Sequence, residues 1–278
     1  MLENLPAINS RSDEFAPELK NRKVNGMPIT NCVSHRLTVI EISGIDLELL
    51  EAGPRAGLPL VHLHGYTDSC LSFGPLMAAL PPDLWQIAVT QRGHGGSAKP
   101  VATYNSEVFA ADLLALLDHL RLERVIVVGH CMGAFNALRF AIEHPERVSG
   151  LVLLNGFATM RSNPLIEELW HGTVAGISDP VDPEFVREFQ AGTVERGVPD
   201  EFMDMIVSES LRVPATIWQT ILASLRKEDL TDHLSRIAAP SLLLWGNRDT
   251  LLDRASQESL AAGIQGSRLI EIEGSGHS

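Results

Sequence analysis

Three side chains of this 278-residue sequence are of the types that form a nucleophile, a base and an acid. Cys131 is the centre of a Gly-x-Cys-x-Gly pentapeptide, and Asp249 and His277 follow it along the chain. Histidine can remove a proton from a nucleophile, and a carboxylate can hold the imidazole in the required tautomer. A cysteine thiol has a reference pKa of about 8.5, which a neighbouring imidazolium or helix N-terminus lowers. These residue types predict nucleophilic catalysis by a thiol.

The pentapeptide lies between a segment that is typical of a strand and one that is typical of a helix. The apolar run 125–128 precedes it, and residues 134–141, which follow it, have helical periodicity. A strand, a tight turn flanked by glycines and then a helix is the pattern of a nucleophile elbow, in which the middle side chain projects above the sheet. Serine is the usual residue at that position, and here it is Cys131. The pattern predicts a thiol nucleophile in a turn that normally holds a hydroxyl.

The acid and the histidine each follow a further apolar segment. Residues 240–246 are predicted as a buried strand, and Asp249 lies just after its end. Residues 268–272 are predicted as another strand, and His277 lies in the loop after it. Asp253 is close to Asp249 in the sequence and is the reserve candidate for the acid.

Taken together, these motifs resemble the α/β-hydrolase fold over residues 36–278, in which nucleophile, acid and histidine come in this order. Residues 91–97 are similar to the family's D-x-R-G-x-G-x-S turn, with Gln91 in the usual aspartate place, and His-Pro-Glu-Arg-Val at 144–148 is a further match. The resemblance implies an α/β fold, with a mostly parallel eight-stranded sheet flanked by helices and an inserted helical cap. It also implies that the three residues named above form a catalytic triad.

The same resemblance implies two backbone donors for a developing oxyanion. The apolar run 60–63 leads into His64 and Gly65, a turn that resembles the family's first oxyanion loop. The N–H of Tyr66 and the N–H of Met132, just after the nucleophile, would then face the negative charge. We interpret His64 as a brace of this loop rather than as a general base.

Cysteine at the elbow resembles dienelactone hydrolases, in which a Cys-His-Asp triad opens an enol-lactone; polyhydroxyalkanoate synthases also carry a cysteine there. The rest of the chain is more similar to serine esterases and C–C hydrolases. A native Cys131 and an engineered replacement of serine therefore both stay open. Relatives also add a final helix after the histidine loop, so we expect either a longer chain or a histidine loop that is less well anchored.

The order of the apolar segments predicts a core with an insertion. Residues 35–155 and 237–278 alternate between strand and helix patterns, which is typical of a largely parallel sheet. Within them, residues 85–90 are predicted as a strand and residues 106–120 as a helix. Residues 1–34 are predicted to form an arm that packs on the body or serves in assembly, which leaves a homo-oligomer open. Residues 156–236 break the alternation and resemble the family's helical cap. They contain four amphipathic stretches, at 165–172, 184–196, 200–211 and 214–226.

A helical cap implies an enclosed and mainly apolar pocket for a small-molecule substrate. Aromatic side chains of the insertion are candidates for its wall. We expect Phe157, Trp170 and Trp218 to line this substrate pocket.

Composition excludes several other classes of protein. The formal charge of −13 argues against binding to nucleic acid or to anionic membrane surfaces. There is no run of 18 apolar residues and no signal-peptide pattern, so we expect no membrane span and a cytoplasmic location. Cys32, Cys70 and Cys131 have neither disulfide nor metal spacing. No motif indicates a metal, flavin, nicotinamide or other cofactor.

These observations predict a hydrolase that acts on a small, mainly apolar ester, lactone or thioester through an acyl-cysteine intermediate. Three alternatives stay open, namely acyl transfer from the same thioester, hydrolysis of a C–C bond, and a ligand receptor with slow turnover. Epoxide hydrolase and haloalkane dehalogenase activities are disfavoured because those relatives place aspartate at the elbow. The sequence offers no reason to assign Asp68 a catalytic role.

Overall fold

A mixed sheet of eight strands runs through residues 35–278, which the computed structural model describes together with the backbone of two short paired strands, Lys23–Val24 and Met27–Pro28. The rest of the expected arm, including Cys32, lies outside the described residues. The strands of the sheet are β1 (Arg36–Ile42), β2 (Ile45–Ala52), β3 (Pro59–Leu63), β4 (Trp85–Thr90), β5 (Val125–His130), β6 (Val148–Leu154), β7 (Ser241–Gly246) and β8 (Arg268–Ile272).

The strand order across the sheet is β8-β7-β6-β5-β3-β4-β2-β1. Strands β1 and β2 pair antiparallel, as do β2 and β4, whereas every other neighbouring pair is parallel. This confirms the expected α/β-hydrolase fold with a mostly parallel eight-stranded sheet. Carboxyl ends of parallel strands meet at one edge of such a sheet, and ligands bind there.

The central strands are buried on both faces, which explains their nearly continuous apolar sequences. Along β4, Ile87 and Val89 belong to one apolar cluster, whereas Ala88, which points to the opposite face, belongs to another. The two clusters lie on opposite faces of the sheet. Between them they fix its position relative to the helices.

The helices are α1 (Gly74–Ala79), α2 (Ser106–Leu120), α3 (Met132–Glu143), α4 (Pro164–Gly172), α5 (Pro183–Gly192), α6 (Asp200–Leu211), α7 (Ala215–Leu225) and α8 (Arg254–Gly263). Four of them, α4 to α7, lie in the insertion between β6 and β7. Local signals explain several starts: Asn163 and Asp182 cap α4 and α5 through their side chains, each with proline at the first helical position. Among the described residues, no helix is both long and apolar enough to cross a membrane.

One helix boundary in the insertion differs from the sequence-based expectation. The amphipathic stretch predicted over 184–196 ends as helix α5 at Gly192. Beyond it the chain turns, and the carbonyl of Thr193 accepts a hydrogen bond from the N–H of Ser278 at 2.9 Å. A tertiary contact with the C-terminal loop therefore replaces the last helical turn.

Candidate active site

The turn between β5 and α3 holds Cys131 in a strained backbone conformation, with φ +50° and ψ −115°. Its flanking glycines are required by close backbone contacts. A Cβ on Gly129 would lie 2.5 Å from the Cα of Ala134, and a Cβ on Gly133 would lie 2.0 Å from the carbonyl oxygen of Leu63. The expected elbow is therefore present, and it leaves Cys131 half-buried at the wall of a cavity.

Asp249 and His277 are brought together from two different strand ends. Oδ2 of Asp249 accepts a hydrogen bond from Nδ1 of His277 at 2.7 Å. Oδ1 accepts from the backbone N–H groups of Leu251 and Leu252, at 2.8 and 3.1 Å. The Asp249 side chain is fully shielded from solvent. Its carboxylate is therefore fixed in an orientation that holds the imidazole ring.

The electrostatic environment of His277 favours its protonated form. Burial alone lowers the pKa of His277, but the charge of Cys131, followed by the hydrogen bond that His277 donates to Asp249, outweighs burial and raises the pKa to about 10. Within the described residues Nε2 of His277 makes no hydrogen bond of good geometry. The charge of Cys131 is the largest influence that raises the pKa of His277, and it favours the imidazolium form of the ring.

The loop that carries His277 is anchored to the sheet by side chains at two other strand ends. Nδ2 of Asn155 donates to the carbonyl oxygens of Gly276 and His277, at 3.2 and 2.7 Å. Nε2 of His130 donates to the same His277 carbonyl at 2.8 Å. Sequence reasoning missed both anchors. One sequence signal could have identified His130, namely its position directly before the nucleophile.

The backbone N–H groups of both expected oxyanion donors make no hydrogen bond within the described residues. The N–H of Met132 opens helix α3, where no intrahelical acceptor exists, and that of Tyr66 has no acceptor either. The Tyr66 ring is held by its hydroxyl, which donates to the carbonyl oxygen of Trp218 at 2.7 Å. Tyr66 and Cys131 both line the cavity. These contacts leave the two N–H groups available to a ligand.

His64 has its hydrogen bonds within the protein. Its Nε2 accepts from the N–H of Gln91 at 2.9 Å, and its Nδ1 lies 2.8 Å from the carbonyl oxygen of Gly65, to which it donates. Burial lowers the pKa of His64 well below its usual value, so the ring is neutral. Gln91, in the place where the family usually has aspartate, also donates to the His64 carbonyl and accepts from Asn136. His64 thus braces the loop.

The cavity beside Cys131 has a volume of about 310 Å³. One end is polar and includes Asp68, His130 and His277. The remaining wall is apolar and comes mostly from the insertion. Its main apolar side chains are Phe157, Met160, Ile166, Leu169, Leu222 and Leu225.

Of the three aromatic residues expected in the pocket wall, the structure places only Phe157 there. Trp218 is completely buried behind the wall, with its ring centroid 5.2 Å from that of Tyr66 and 5.3 Å from that of Phe189. The ring of Trp170 packs beneath the guanidinium of Arg226, at 4.8 Å, and is not part of the wall. The expectation for both tryptophans is therefore corrected. Amphipathic periodicity identified the buried face of each helix but not what that face contacts.

Two acidic residues have different environments from those suggested by the sequence. Asp253, the reserve acid, caps helix α8 by accepting from the N–H of Ser256 at 2.8 Å. Asp68, which had no assigned role, lines the cavity, and its Oδ1 accepts from Nε2 of Gln190 at 3.2 Å.

Within the part of the chain that the structure describes, no group of three or more His, Cys, Asp or Glu side chains is arranged to hold a metal ion.

A mostly parallel sheet with an elbow residue, a carboxylate and a histidine at its strand ends, beside an apolar cavity, defines the class of a hydrolytic enzyme. Residues 59–278 match the family model described as alpha/beta hydrolase fold, so the chain belongs to the α/β-hydrolase family.

Individual relatives agree with that assignment. The chain is 29% identical over 235 residues to the AB hydrolase superfamily protein YisY of Bacillus subtilis (strain 168), which covers 80% of this chain and 85% of that protein. It is 27% identical over 235 residues to the non-heme chloroperoxidase of Streptomyces lividans, and the match covers 78% of this chain and 84% of that protein. An esterase from Exiguobacterium antarcticum superposes with a TM-score of 0.77 at 25% identity, covering 86% of this chain and 92% of that one.

Proposed function

We propose that this enzyme hydrolyses small, mainly apolar esters, lactones or thioesters through an acyl-cysteine intermediate. Cys131 is the nucleophile, His277 transfers the protons and Asp249 orients His277. The observation that carries this proposal is the position of Cys131. It lines the cavity in a strained backbone conformation, beside the His277 ring, whose Nδ1 lies 2.7 Å from Oδ2 of the buried Asp249.

In the first half of the reaction, Sγ of Cys131 attacks the carbonyl carbon of the bound substrate. The carbonyl oxygen takes up negative charge and accepts hydrogen bonds from the N–H groups of Tyr66 and Met132. Nε2–H of the His277 imidazolium donates its proton to the departing oxygen or sulfur, and the bond from the carbonyl carbon to that atom breaks. An alcohol or thiol is released, and the acyl group remains on Cys131 as a thioester.

In the second half, His277 is neutral and its Nε2 takes a proton from a water molecule. The resulting hydroxide attacks the thioester carbonyl, and collapse of the intermediate expels the Cys131 thiolate. The carboxylic acid is released, and the imidazolium beside the thiolate is restored. Loss of the negative charge on Cys131 in the acyl-enzyme lowers the pKa of His277, because that charge is the largest influence that raises it. The thioester stage therefore favours the neutral base that hydrolysis requires.

The cavity supports the proposed class of substrate. A volume of about 310 Å³ suits a compact acyl group, and the wall formed by the insertion is mostly apolar. We propose that residues 156–236 act as a cap that closes over this group. The solved esterase named above has the same fold, which agrees with ester hydrolysis.

Intact mass spectrometry during turnover tests this proposal. Phenyl esters and thioesters of short acyl chains should add one acyl mass to the protein, and peptide mapping should place that mass on Cys131. The Cys131→Ala variant should fold and show no adduct, whereas Cys32→Ala, as the matched control, should form the adduct at the normal rate. Turnover that continues after complete alkylation of Cys131 would overturn the proposal. Adding methanol or an amine distinguishes acyl transfer, which would yield the new ester or amide instead of the acid.

A further inference from the structure

The cavity contains two hydrogen-bond acceptors that the proposed hydrolysis does not use. Asp68 and His130 both line it. A methyl group on Gly65 would lie 3.0 Å from Nδ1 of His130 and 3.3 Å from Oδ2 of Asp68, so both atoms border the same small volume. Tyr66, whose N–H is a proposed oxyanion donor, is the next residue. The two acceptors therefore border the loop that would face the reacting carbonyl group.

The hydrogen bonds of His130 determine which of its ring nitrogens carries a proton. Nε2 lies 2.8 Å from the carbonyl oxygen of His277, which can only accept, so Nε2 carries the hydrogen. Burial, followed by the charge of His277, lowers the pKa of His130 to about 4, so the ring is neutral at neutral pH. Its Nδ1 then has a lone pair and has no partner among the described residues. His130 therefore presents an acceptor to the cavity.

Asp68 presents a second acceptor. Its Oδ1 is used by Gln190, which ties the loop to helix α5, but its Oδ2 has no hydrogen-bond partner within the described residues. Burial raises the pKa of Asp68 to about 6, against the opposing effect of the hydrogen bond from Gln190. Placing a carboxyl group in an apolar cavity costs free energy unless a partner satisfies it. A structural role in holding Gln190 accounts for one of its oxygen atoms and leaves the other for a ligand.

We propose that Asp68 and His130 form a subsite that binds a hydroxyl or amino group on the acyl chain of the substrate. Within the class proposed above, the preferred substrates are then hydroxyacyl or aminoacyl esters and thioesters. His277 must reach the leaving-group atom, so the reacting carbonyl group lies at the polar end of the cavity, where His277, Asp68 and His130 all line the wall. A donor near the carbonyl would meet the two acceptors, and the rest of the chain would meet the apolar wall. This inference rests on the proposed function.

Pairs of phenyl esters that differ only in hydroxyl against methyl test the subsite. Phenyl 3-hydroxybutanoate is compared with phenyl 3-methylbutanoate, and phenyl lactate with phenyl 2-methylpropanoate. For each pair, the ratio of the two kcat/KM values is measured in the native enzyme and in Asp68→Ala. Comparing ratios between enzymes cancels the intrinsic reactivity of each ester. We expect the preference for hydroxyl to fall by about 10–100-fold in Asp68→Ala for at least one pair, as for a hydrogen bond to a charged group.

Two further variants make the result decisive. Glu188→Ala removes an exposed carboxylate that lines the same cavity, and its ratio should stay within about twofold of the native value. Asp68→Asn keeps the size of the side chain and its contact with Gln190, and it should lower the ratio even if Asp68→Ala does not fold. An unchanged ratio in a folded Asp68 variant, with Cys131 still acylated by both esters, would overturn the subsite alone. Absence of any acylation of Cys131 would instead overturn the proposed function.

Discussion

Replacing Asp249 with asparagine tests the proposed catalytic acid directly. Oδ1 of Asp249 accepts from the N–H groups of Leu251 and Leu252, and Oδ2 accepts from Nδ1 of His277. In Asp249→Asn the amide oxygen must stay with the two backbone donors, because an NH₂ group there would face two N–H groups. The amide NH₂ then faces Nδ1 of His277. The imidazole must accept at Nδ1 and carry its proton on Nε2, which is the wrong tautomer for a base.

The expected loss of activity follows from two effects. A hydrogen bond to a charged group contributes about 1.5–3 kcal/mol, which corresponds to about 10–150-fold in rate. The wrong tautomer adds to this, and in serine triads the same substitution costs about 10⁴ in kcat. We therefore expect Asp249→Asn to lower kcat/KM by about 10²–10⁴. Asp253→Asn should change it by less than about twofold, because asparagine and aspartate are equivalent helix caps.

Both variants are assayed with a chromogenic ester, with rapid mixing to measure the burst of acylation separately from steady-state turnover. Circular dichroism melting curves establish that each variant is folded under the assay conditions. Equal losses in the two variants, or a larger loss in Asp253→Asn, would refute the assignment of Asp249 as the residue that orients His277.

Three further predictions concern pH, the histidine loop and the cavity wall. The pKa of His277 is raised to about 10, so kcat/KM should stay constant as the pH rises through 6.5 and should fall as the pH passes about 10. In His277→Ala the fall near pH 10 should be absent. A Cβ on Gly276 would lie 3.0 Å from a backbone nitrogen of the insertion, so Gly276→Ala should lower kcat/KM about 10-fold or more by displacing the loop. Gly197→Ala is the control, because a Cβ on Gly197 would have no atom within 4 Å. A similar loss of kcat/KM in both variants would contradict a steric clash at Gly276. Phe157→Leu should alter the preference for acyl chain length, whereas Trp218→Leu should mainly lower the melting temperature; the reverse pattern would contradict the cavity wall.

Local signals in the sequence were sufficient for the elements that hold the candidate site. The predicted strand 85–90 and helix 106–120 have the same bounds in the structure. Their limits are encoded locally: Asn105 caps the helix by accepting from the N–H of Val108, and a buried strand is continuously apolar. The turn at Cys131 could also be predicted from local sequence, because the strand and the helix on either side of it approach so closely that only glycine fits beside the nucleophile.

The lining of the cavity was decided by the packing of the insertion helices. Periodicity showed which face of each helix is apolar, but the core of the insertion and the wall of a pocket have the same apolar character. Trp218 therefore belongs to the interior, whereas Leu222, four residues later on the same helix, lines the cavity. The crossing of the helices, which no local pattern encodes, separates these two environments.

The fold, the elbow at Cys131 and the order of the acid and histidine were predictable from the amino-acid sequence, because each depends on neighbouring residues or on the ends of successive strands. The contacts that orient these groups depend instead on the packing of segments that are distant in the chain. Asn155 and His277 are 122 positions apart, and Asp68 and Gln190 are also 122 apart, yet each pair is joined by a hydrogen bond. Such bonds form where strand ends and an insertion meet in space, and the polar character of each residue alone does not indicate its partner.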